Sequence, residues 1–131
     1  MRPDNQNEQG NPVVNPDSSS SFDFGSGVVL AHRHSNGGGW IADTAYAEDT
    51  AYVGEDAWVF GDARVFGDAY VFGNARVYGN AEIYGNATIS GDAWVFGDAR
   101  VYGVARVAGD ARVAGNAKIG GNTRVYSDAH I

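Results

Sequence analysis

The sequence predicts an all-β chain that coils into a three-sided solenoid of about five turns, and three observations support this fold class. From Ile41 to Ile131 an aliphatic residue returns every six positions, and only Ala47 interrupts the series. A small residue, nearly always alanine, precedes each aliphatic residue by two positions. Glycine, usually followed by Asp or Asn, comes two positions after it from Gly61 to Gly121. No residue is inserted or deleted, so the array holds (131 − 41)/6 = 15 repeats of six residues.

The repeat has a direct physical interpretation. Alanine and valine two positions apart point to the same side of an extended strand, and the residues beside them point away. Glycine followed by Asn or Asp supplies the permissive backbone that a bend needs. Three strand-and-bend units close one turn, so residues eighteen apart stack on each other. At roughly 4.8 Å between stacked strands, the coil is expected to be about 24 Å tall with a narrow core of alanine and valine.

The unit A-x-V-x-G-(D/N) of residues 41–131 resembles the hexapeptide repeat (L/I/V)-x-x-x-(S/T/A)-x of left-handed parallel β-helices. The left hand of the coil is implied by this resemblance alone. The general rule for crossover connections favours the opposite hand. The step Gly37-Gly38-Gly39-Trp40 is also similar to the segment that leads into the repeats of uncharacterised phage and bacterial hexapeptide-repeat proteins, some of them labelled acetyltransferase-like.

The chain divides into three parts. Residues 1–21 are polar and interrupted by proline, which predicts a flexible N-terminal segment. Residues 22–40 are expected to form a cap and lead-in segment, in which residues 22–24 and 28–31 form short strands separated by Gly-Ser-Gly. Such a segment would fold over the top of the coil, because the ends of solenoids need caps. Residues 41–131 form the β-helix of fifteen hexads.

Composition excludes several classes of protein. The chain has 131 residues and no cysteine, so neither disulfides nor thiolate metal sites are available to it. Its net charge is −7, and because residues 1–56 carry nine acids and two bases, that half alone accounts for 2 − 9 = −7. An acidic chain with scattered bases is a poor nucleic-acid binder. Neither a membrane span nor a Sec signal is evident, which favours a cytoplasmic or virion-associated protein with no membrane partner.

The outward positions form ladders at a spacing of eighteen. An arginine between two tryptophans on one face predicts cation–π contacts, and Arg64, Glu82 and Arg100 alternate in charge on the next face. Three interpretations stay open for the aromatic rings: they stabilise neighbouring strands, they mediate lateral self-association, or they bind a ligand or foreign partner. The predicted interaction surface, called the aromatic surface below, comprises Trp58, Phe60, Arg76, Tyr78, Trp94, Phe96, Phe66, Tyr84 and Tyr102.

The last turn is expected to present unpaired strand edges and an open core, which proteins usually cover. Residues 101–131 carry four bases and two acids, so the C-terminal end is mildly basic and the N-terminal end is acidic. This polarity favours head-to-tail stacking, a contact that does not close and therefore gives filaments. The predicted end-to-end edge comprises Val125, Tyr126, Ala129, His130 and Ile131.

The fold family that the repeat resembles includes acyltransferases and carbonic anhydrases, and both kinds use trimers with histidines near subunit boundaries. The only histidines here are His32, His34 and His130, whereas a zinc site needs about three clustered ligands. A ladder of corner aspartates at positions 92, 110 and 128 could take a hard cation, but solvated turn aspartates are the preferred interpretation. Neither a Ser-His-Asp arrangement nor a phosphate-binding loop is visible.

The sequence therefore predicts no catalytic residue, no cofactor and no metal. It favours a non-catalytic structural or interaction module whose partner is itself, assembled head to tail into a filament. The alternatives are a homotrimeric acyltransferase-like protein, with a groove between subunits, and a monomeric module that binds a small ligand or partner through its aromatic face.

Overall fold

The computed structural model describes residues 20–127 and 129–131. The predicted flexible segment 1–21 thus lies almost entirely outside the described residues, and so does Asp128 of the aspartate ladder. Within the described residues the chain forms strands and turns without a helix. The strands are, in chain order, β1 (Ser20–Asp23), β2 (Val28–Arg33), β3 (Trp40–Ala42), β4 (Tyr46–Ala47), β5 (Tyr52–Val53), β6 (Trp58–Val59), β7 (Arg64–Val65), β8 (Tyr70–Val71), β9 (Arg76–Val77), β10 (Glu82–Ile83), β11 (Thr88–Ile89), β12 (Trp94–Val95), β13 (Arg100–Val101), β14 (Arg106–Val107), β15 (Arg112–Val113), β16 (Lys118–Ile119) and β17 (Arg124–Val125).

The coil strands stack as three parallel columns, which we call the first, second and third faces. The first face is the order β3-β6-β9-β12-β15, the second is β4-β7-β10-β13-β16, and the third is β5-β8-β11-β14-β17. Directly opposed residues are eighteen apart, as in the pair Trp58 and Arg76. Between rungs, the Arg64 N–H donates to the Ala81 carbonyl at 2.9 Å. The predicted three-sided β-solenoid of about five turns is confirmed.

The corners show why glycine recurs. From Gly61 to Gly121 every corner glycine has a φ between 60° and 67°, a left-handed conformation that side chains disfavour. The corners also stack closely, because a Cβ added at Gly79 would lie 2.8 Å from the Gly97 nitrogen of the next turn. Ser127, at the equivalent position of the last turn, adopts the same conformation with a φ of 58°. Glycine is therefore favoured by the backbone conformation and, where a further turn stacks closely on the corner, required by space.

The core is the narrow column that the repeat predicts. The inward alanine and aliphatic side chains from Ala51 to Val113 are fully buried. Isoleucines at positions 83 and 89 are the largest of these side chains within the repeats. Because every rung contributes the same small set of side chains, the coil is uniform along its length and its variation lies on the outer faces.

Two segments cover the N-terminal end of the coil. β1 and β2 form an antiparallel hairpin, and β2 pairs antiparallel with β3, so the hairpin continues the first face. Two short strands joined by Gly-Ser-Gly were expected here, and both are present. Residues 34–39 cover the third face, where the Val53 N–H donates to the Asn36 carbonyl at 3.0 Å. A Cβ at Gly39 would lie 2.5 Å from the Gly54 carbonyl oxygen, so this glycine permits the close approach.

Candidate functional site

The first face carries a continuous stack of aromatic rings. The ring centroids of Phe60 and Tyr78 are 4.8 Å apart with planes 7° from parallel, and those of Tyr78 and Phe96 are 4.9 Å and 4° apart. These spacings are close to the separation of stacked strands. The rings are therefore stacked along the coil axis, with their planes across the axis and their edges facing outward. The predicted column of the aromatic surface therefore exists as one rigid stack.

Arginines of the coil cover Trp58 and Trp94 on the same face, and Arg33 of the hairpin lies 4.5 Å from the Trp40 ring centroid. The Arg76 guanidinium lies 4.0 Å from the Trp58 ring centroid, as the eighteen-residue spacing predicts. Above Trp94, however, the guanidinium belongs to Arg112, at 4.2 Å. Each of these two coil arginines also donates from its Nη1 to a backbone carbonyl two residues earlier, which holds the guanidinium over the ring. The cation–π contacts thus repeat every two turns and stiffen this face.

The hairpin adds two rings to the first face. Phe22 stacks on Trp40 with centroids 4.6 Å apart, and Phe24 stacks on Phe60 at 4.8 Å. Phe22 also contacts Trp58, with ring centroids 5.1 Å apart. In the sheet β1 and β6 are separated by three strand spacings, which would be roughly 14 Å if the sheet were flat. The hairpin must therefore bend back over the outer surface of the first face.

Sequence reasoning missed this contact, although a signal for it exists. Phe22 and Phe24 precede Trp40 and Ala42 by eighteen residues, and the pair repeats the outward positions of the first face. Ala42 leaves an empty level above Phe60 in the ring stack, and Phe24 packs against Phe60 there. The sequence predicts a capping strand for these phenylalanines, but the contacts of their side chains follow only from the eighteen-residue spacing to Trp40 and Ala42.

The second face combines rings with charges. Phe66 and Tyr84 stack at 5.0 Å, and Tyr84 and Tyr102 stack at 5.3 Å, so this part of the aromatic surface is also a continuous ladder. In the neighbouring column the Arg100 Nε lies 3.1 Å from a Glu82 carboxylate oxygen, as the alternating charges predict. The charged column borders a polar groove of about 580 Å³. The groove is lined by Asp62, Arg64, Asn80, Glu82, Asp98, Arg100, Asn116 and Lys118.

Stacking decides how much of each ring is accessible. The first-face members of the aromatic surface are only partly exposed, because each ring is covered by its neighbours. Burial raises the pKa of the Tyr78 phenol above its usual value of 10.0, and the positive charges of Arg112 and Arg76 oppose this rise. The more exposed apolar side chains lie elsewhere, among them those of hairpin strand β2 and several on the third face.

Strand β2 presents exposed aliphatic side chains beside an apolar cavity. Val28 is 69% exposed and Leu30 is 65% exposed, and Val29 between them is also exposed. The cavity, of about 580 Å³, lies between the hairpin and the first turns of the coil. Its lining includes Phe24, Val29, Leu30, Ala42 and Phe60. Sequence reasoning placed residues 28–31 on a strand but did not identify them as a surface.

The residues of the predicted end-to-end edge have different environments. Val125 is buried in β17, whereas Tyr126 and Ile131 are exposed. Ala129 packs partly against the core, and His130 forms an isolated parallel bridge with Arg112. The Ala114 N–H donates to the Ile131 carbonyl at 3.1 Å, so these residues continue the coil register.

The two N-terminal histidines have structural partners. The Nδ1–H of His32 donates to a carboxylate oxygen of Asp43 at 2.8 Å. His34 is buried, and its Nε2–H donates to the Ala51 carbonyl at 2.8 Å. Within residues 20–127 and 129–131, no group of three or more His, Cys, Asp or Glu side chains is placed to hold a metal ion. In the same part of the chain, no helix has the length and apolar character to cross a membrane.

Comparison with known proteins gives one match. A sequence model described as the YdcK beta solenoid repeat matches residues 81–97, which span β10, β11 and β12. No curated protein and no solved structure matches the chain significantly. The resemblance to the hexapeptide repeat of left-handed β-helices, and the hand that it implies, stay predictions. The chain is thus a β-solenoid, similar over residues 81–97 to the YdcK beta solenoid repeat.

Proposed function

We propose that this protein is a non-catalytic structural and interaction module that self-associates. The observation that carries the proposal is the row of exposed aliphatic side chains on β2 beside the apolar cavity. Soluble chains seldom leave such a patch open to water, and contiguous exposed apolar surface commonly marks a protein–protein contact.

The position of β2 favours contact through side chains. Both edges of β2 are already hydrogen-bonded, to β1 on one side and to β3 on the other, so β2 has no free backbone edge to offer. Its aliphatic side chains are held on a rigid hairpin whose phenylalanines are packed against the first face. A second copy of the chain could place Val28 and Leu30 against the cavity of the first copy and receive the same side chains in return. This is a closed twofold contact.

The known partners of the histidines support a non-catalytic role. His32 and His34 hold the N-terminal cap in place through Asp43 and the Ala51 carbonyl. A histidine that fixes a covering segment in this way is accounted for by packing and hydrogen bonding alone.

The head-to-tail arrangement is the second form of the proposal. At the N-terminal end the hairpin covers the first face and residues 34–39 cover the third, whereas β4 is the edge strand of the second face. End-to-end pairing in the register of the coil would therefore join β4 of one copy to β16 of the next, which would place Lys118 opposite Tyr46 and bring the mildly basic C-terminal end against the acidic N-terminal end. Charge attraction at such an exposed contact weakens as salt is added, so the two forms differ in their dependence on ionic strength.

Polar substitutions on β2 test the side-by-side contact. Replacing Val28 by Thr together with Leu30 by Lys should raise the dissociation constant of the assembly by at least about tenfold, because each buried aliphatic side chain contributes roughly 1.5 to 3 kcal/mol. Sedimentation velocity over a concentration series measures the change. Threonine suits a strand, and the Leu30 side chain is exposed, so the hairpin should remain folded.

The matched control is Val104→Lys, which removes an aliphatic side chain that is 46% exposed at a corner of the coil. This variant should assemble as the parent does. If the β2 variant also assembles like the parent, the contact lies elsewhere. Dissociation by Trp58→Ala with Trp94→Ala instead would assign it to the aromatic surface and to the trimeric arrangement.

A further inference from the structure

The third face contains a notch with aromatic side chains at its two ends. Its cavity measures about 440 Å³ and lies between Tyr70 and Phe72 on one side and Tyr126 on the other, with Thr88, Ser90, Ala108 and Arg106 between them. Phe72, Ser90, Ala108 and Tyr126 occupy equivalent positions on successive rungs, since the Phe72 N–H donates to the Ile89 carbonyl and the Ser90 N–H to the Val107 carbonyl.

The notch is where a ring ladder is interrupted. At the equivalent positions of the first face, rings follow one another without a gap. On the third face two small residues, Ser90 and Ala108, separate the rings of Phe72 and Tyr126, which are 39% and 49% exposed. Two ring positions of the ladder are therefore vacant, with aromatic side chains at both ends and the hydroxyl groups of Thr88 and Ser90 in the interval.

Arg106 lines this cavity, and Arg124 follows it in the same outward column. Arg106 and Arg124 are directly opposed on neighbouring strands β14 and β17. Like charges in directly opposed positions destabilise a sheet. In the part of the chain that the structure describes, neither arginine forms an ion pair. By contrast, Arg100, which opposes Lys118, pairs with Glu82 at 3.1 Å. An anion between the two guanidinium groups would relieve the repulsion and accept charge-assisted hydrogen bonds from both.

We propose that this notch binds a nucleoside monophosphate. The phosphate lies between Arg106 and Arg124, and the base occupies the vacant level beside Ser90, stacked on Phe72. The ribose crosses Ala108. Two arginines suit a phosphate because their planar donor groups match its oxygens, and stacking of a base on an aromatic side chain contributes about 1 to 3 kcal/mol.

The surrounding charges fix the orientation of this ligand. Asp92 and Asp110 follow the corner glycines next to Ser90 and Ala108, on the side of the notch away from the arginine column. The Asp92 carboxylate already accepts a hydrogen bond from the Asn74 amide at 3.1 Å. The phosphate is therefore directed to the arginine side, and the acidic corner faces the uncharged part of the ligand.

Titration of the full chain with adenosine 5′-monophosphate tests the proposal, followed by calorimetry or by the NMR signals of the third face. Saturable binding is expected, with adenosine and inorganic phosphate each binding at least about tenfold more weakly, because each supplies only one of the two interactions. Absence of saturable binding would overturn the proposal. Equal binding of inorganic phosphate would also overturn it, since the ring positions would then contribute nothing.

Two variants locate the site. Ser90→Tyr fills the vacant level with a ring, as Tyr78 and Tyr84 do on the other faces, so the coil should fold and adenosine monophosphate should bind at least about tenfold more weakly. Arg106→Gln with Arg124→Gln should weaken binding by a similar factor and reduce its salt dependence. Arg64→Gln, an exposed arginine of the second face, is the control and should leave binding unchanged. Parent-like binding by Ser90→Tyr would refute this location.

Discussion

Replacing Gly79 by alanine is expected to lower the free energy of unfolding by about 2 kcal/mol or more, although the change adds a single methyl group. Two costs combine at this corner. The left-handed conformation itself costs a side chain roughly 1 to 2 kcal/mol. The new Cβ would also lie 2.8 Å from the Gly97 nitrogen, a backbone atom that cannot move without shifting the next turn. Urea denaturation followed by circular dichroism measures the change.

Gly115→Ala separates the two costs. Gly115 has nearly the same conformation, with a φ of 62°, but a Cβ there would have no atom of the described chain within 4 Å. It should therefore cost only the conformational part, about 1 to 2 kcal/mol, and clearly less than Gly79→Ala. If both variants lose the same stability, the close stacking of corners does not contribute, and glycine is required by its conformation alone.

Deleting Thr88 alone is expected to abolish the native fold, with a loss of more than about 5 kcal/mol, comparable to the net stability of a small domain. Ala87 and Ile89 are both fully buried, and Thr88 between them points outward. Without Thr88 the two inward residues become neighbours, so one of them must turn to solvent. Every following residue would also be displaced by one position relative to the preceding turn. Circular dichroism and thermal unfolding report the loss.

Removing residues 74–91, a complete turn of eighteen, is the matched control. The deletion joins Gly73 to Asp92, so the hexad pattern continues and Trp94 falls directly beneath Trp58. The shortened chain should still unfold cooperatively. Its free energy of unfolding should be lower than that of the parent, because one turn fewer contributes to it. If the chain folded after the single deletion but not after the deletion of a turn, the eighteen-residue register between successive turns would be wrong.

The coil could be predicted because its rule is local and repeated. The valine column, the preceding alanine and the corner glycine each constrain the same backbone path, and their agreement from Gly61 to Gly121 leaves one spacing for the stack. The contact between Arg76 and Trp58 follows from that spacing. The contact between Arg112 and Trp94 does not follow from the spacing alone. The spacing places an arginine on each adjacent turn within reach of Trp94, and side-chain conformation decides which of the two covers the ring.

The hairpin could not be predicted in the same way. Its strands are outside the repeat, and the bend that carries Phe22 and Phe24 onto the first face depends on long-range packing. The accessible surface was equally hard to derive, because stacking hides the large rings of the first face. The most exposed of the large apolar side chains in the described residues are instead Val28 and Leu30, which appear in the sequence as an ordinary aliphatic strand.

Self-association is tested most directly by the mass of the protein in solution. Light scattering behind size exclusion, over a concentration series at low and high salt, should give a mass that is a multiple of 13.8 kDa. A side-by-side assembly held by β2 should persist at high salt, since burial of apolar surface is not screened by ions. A mass of 13.8 kDa at every concentration and salt would contradict the account.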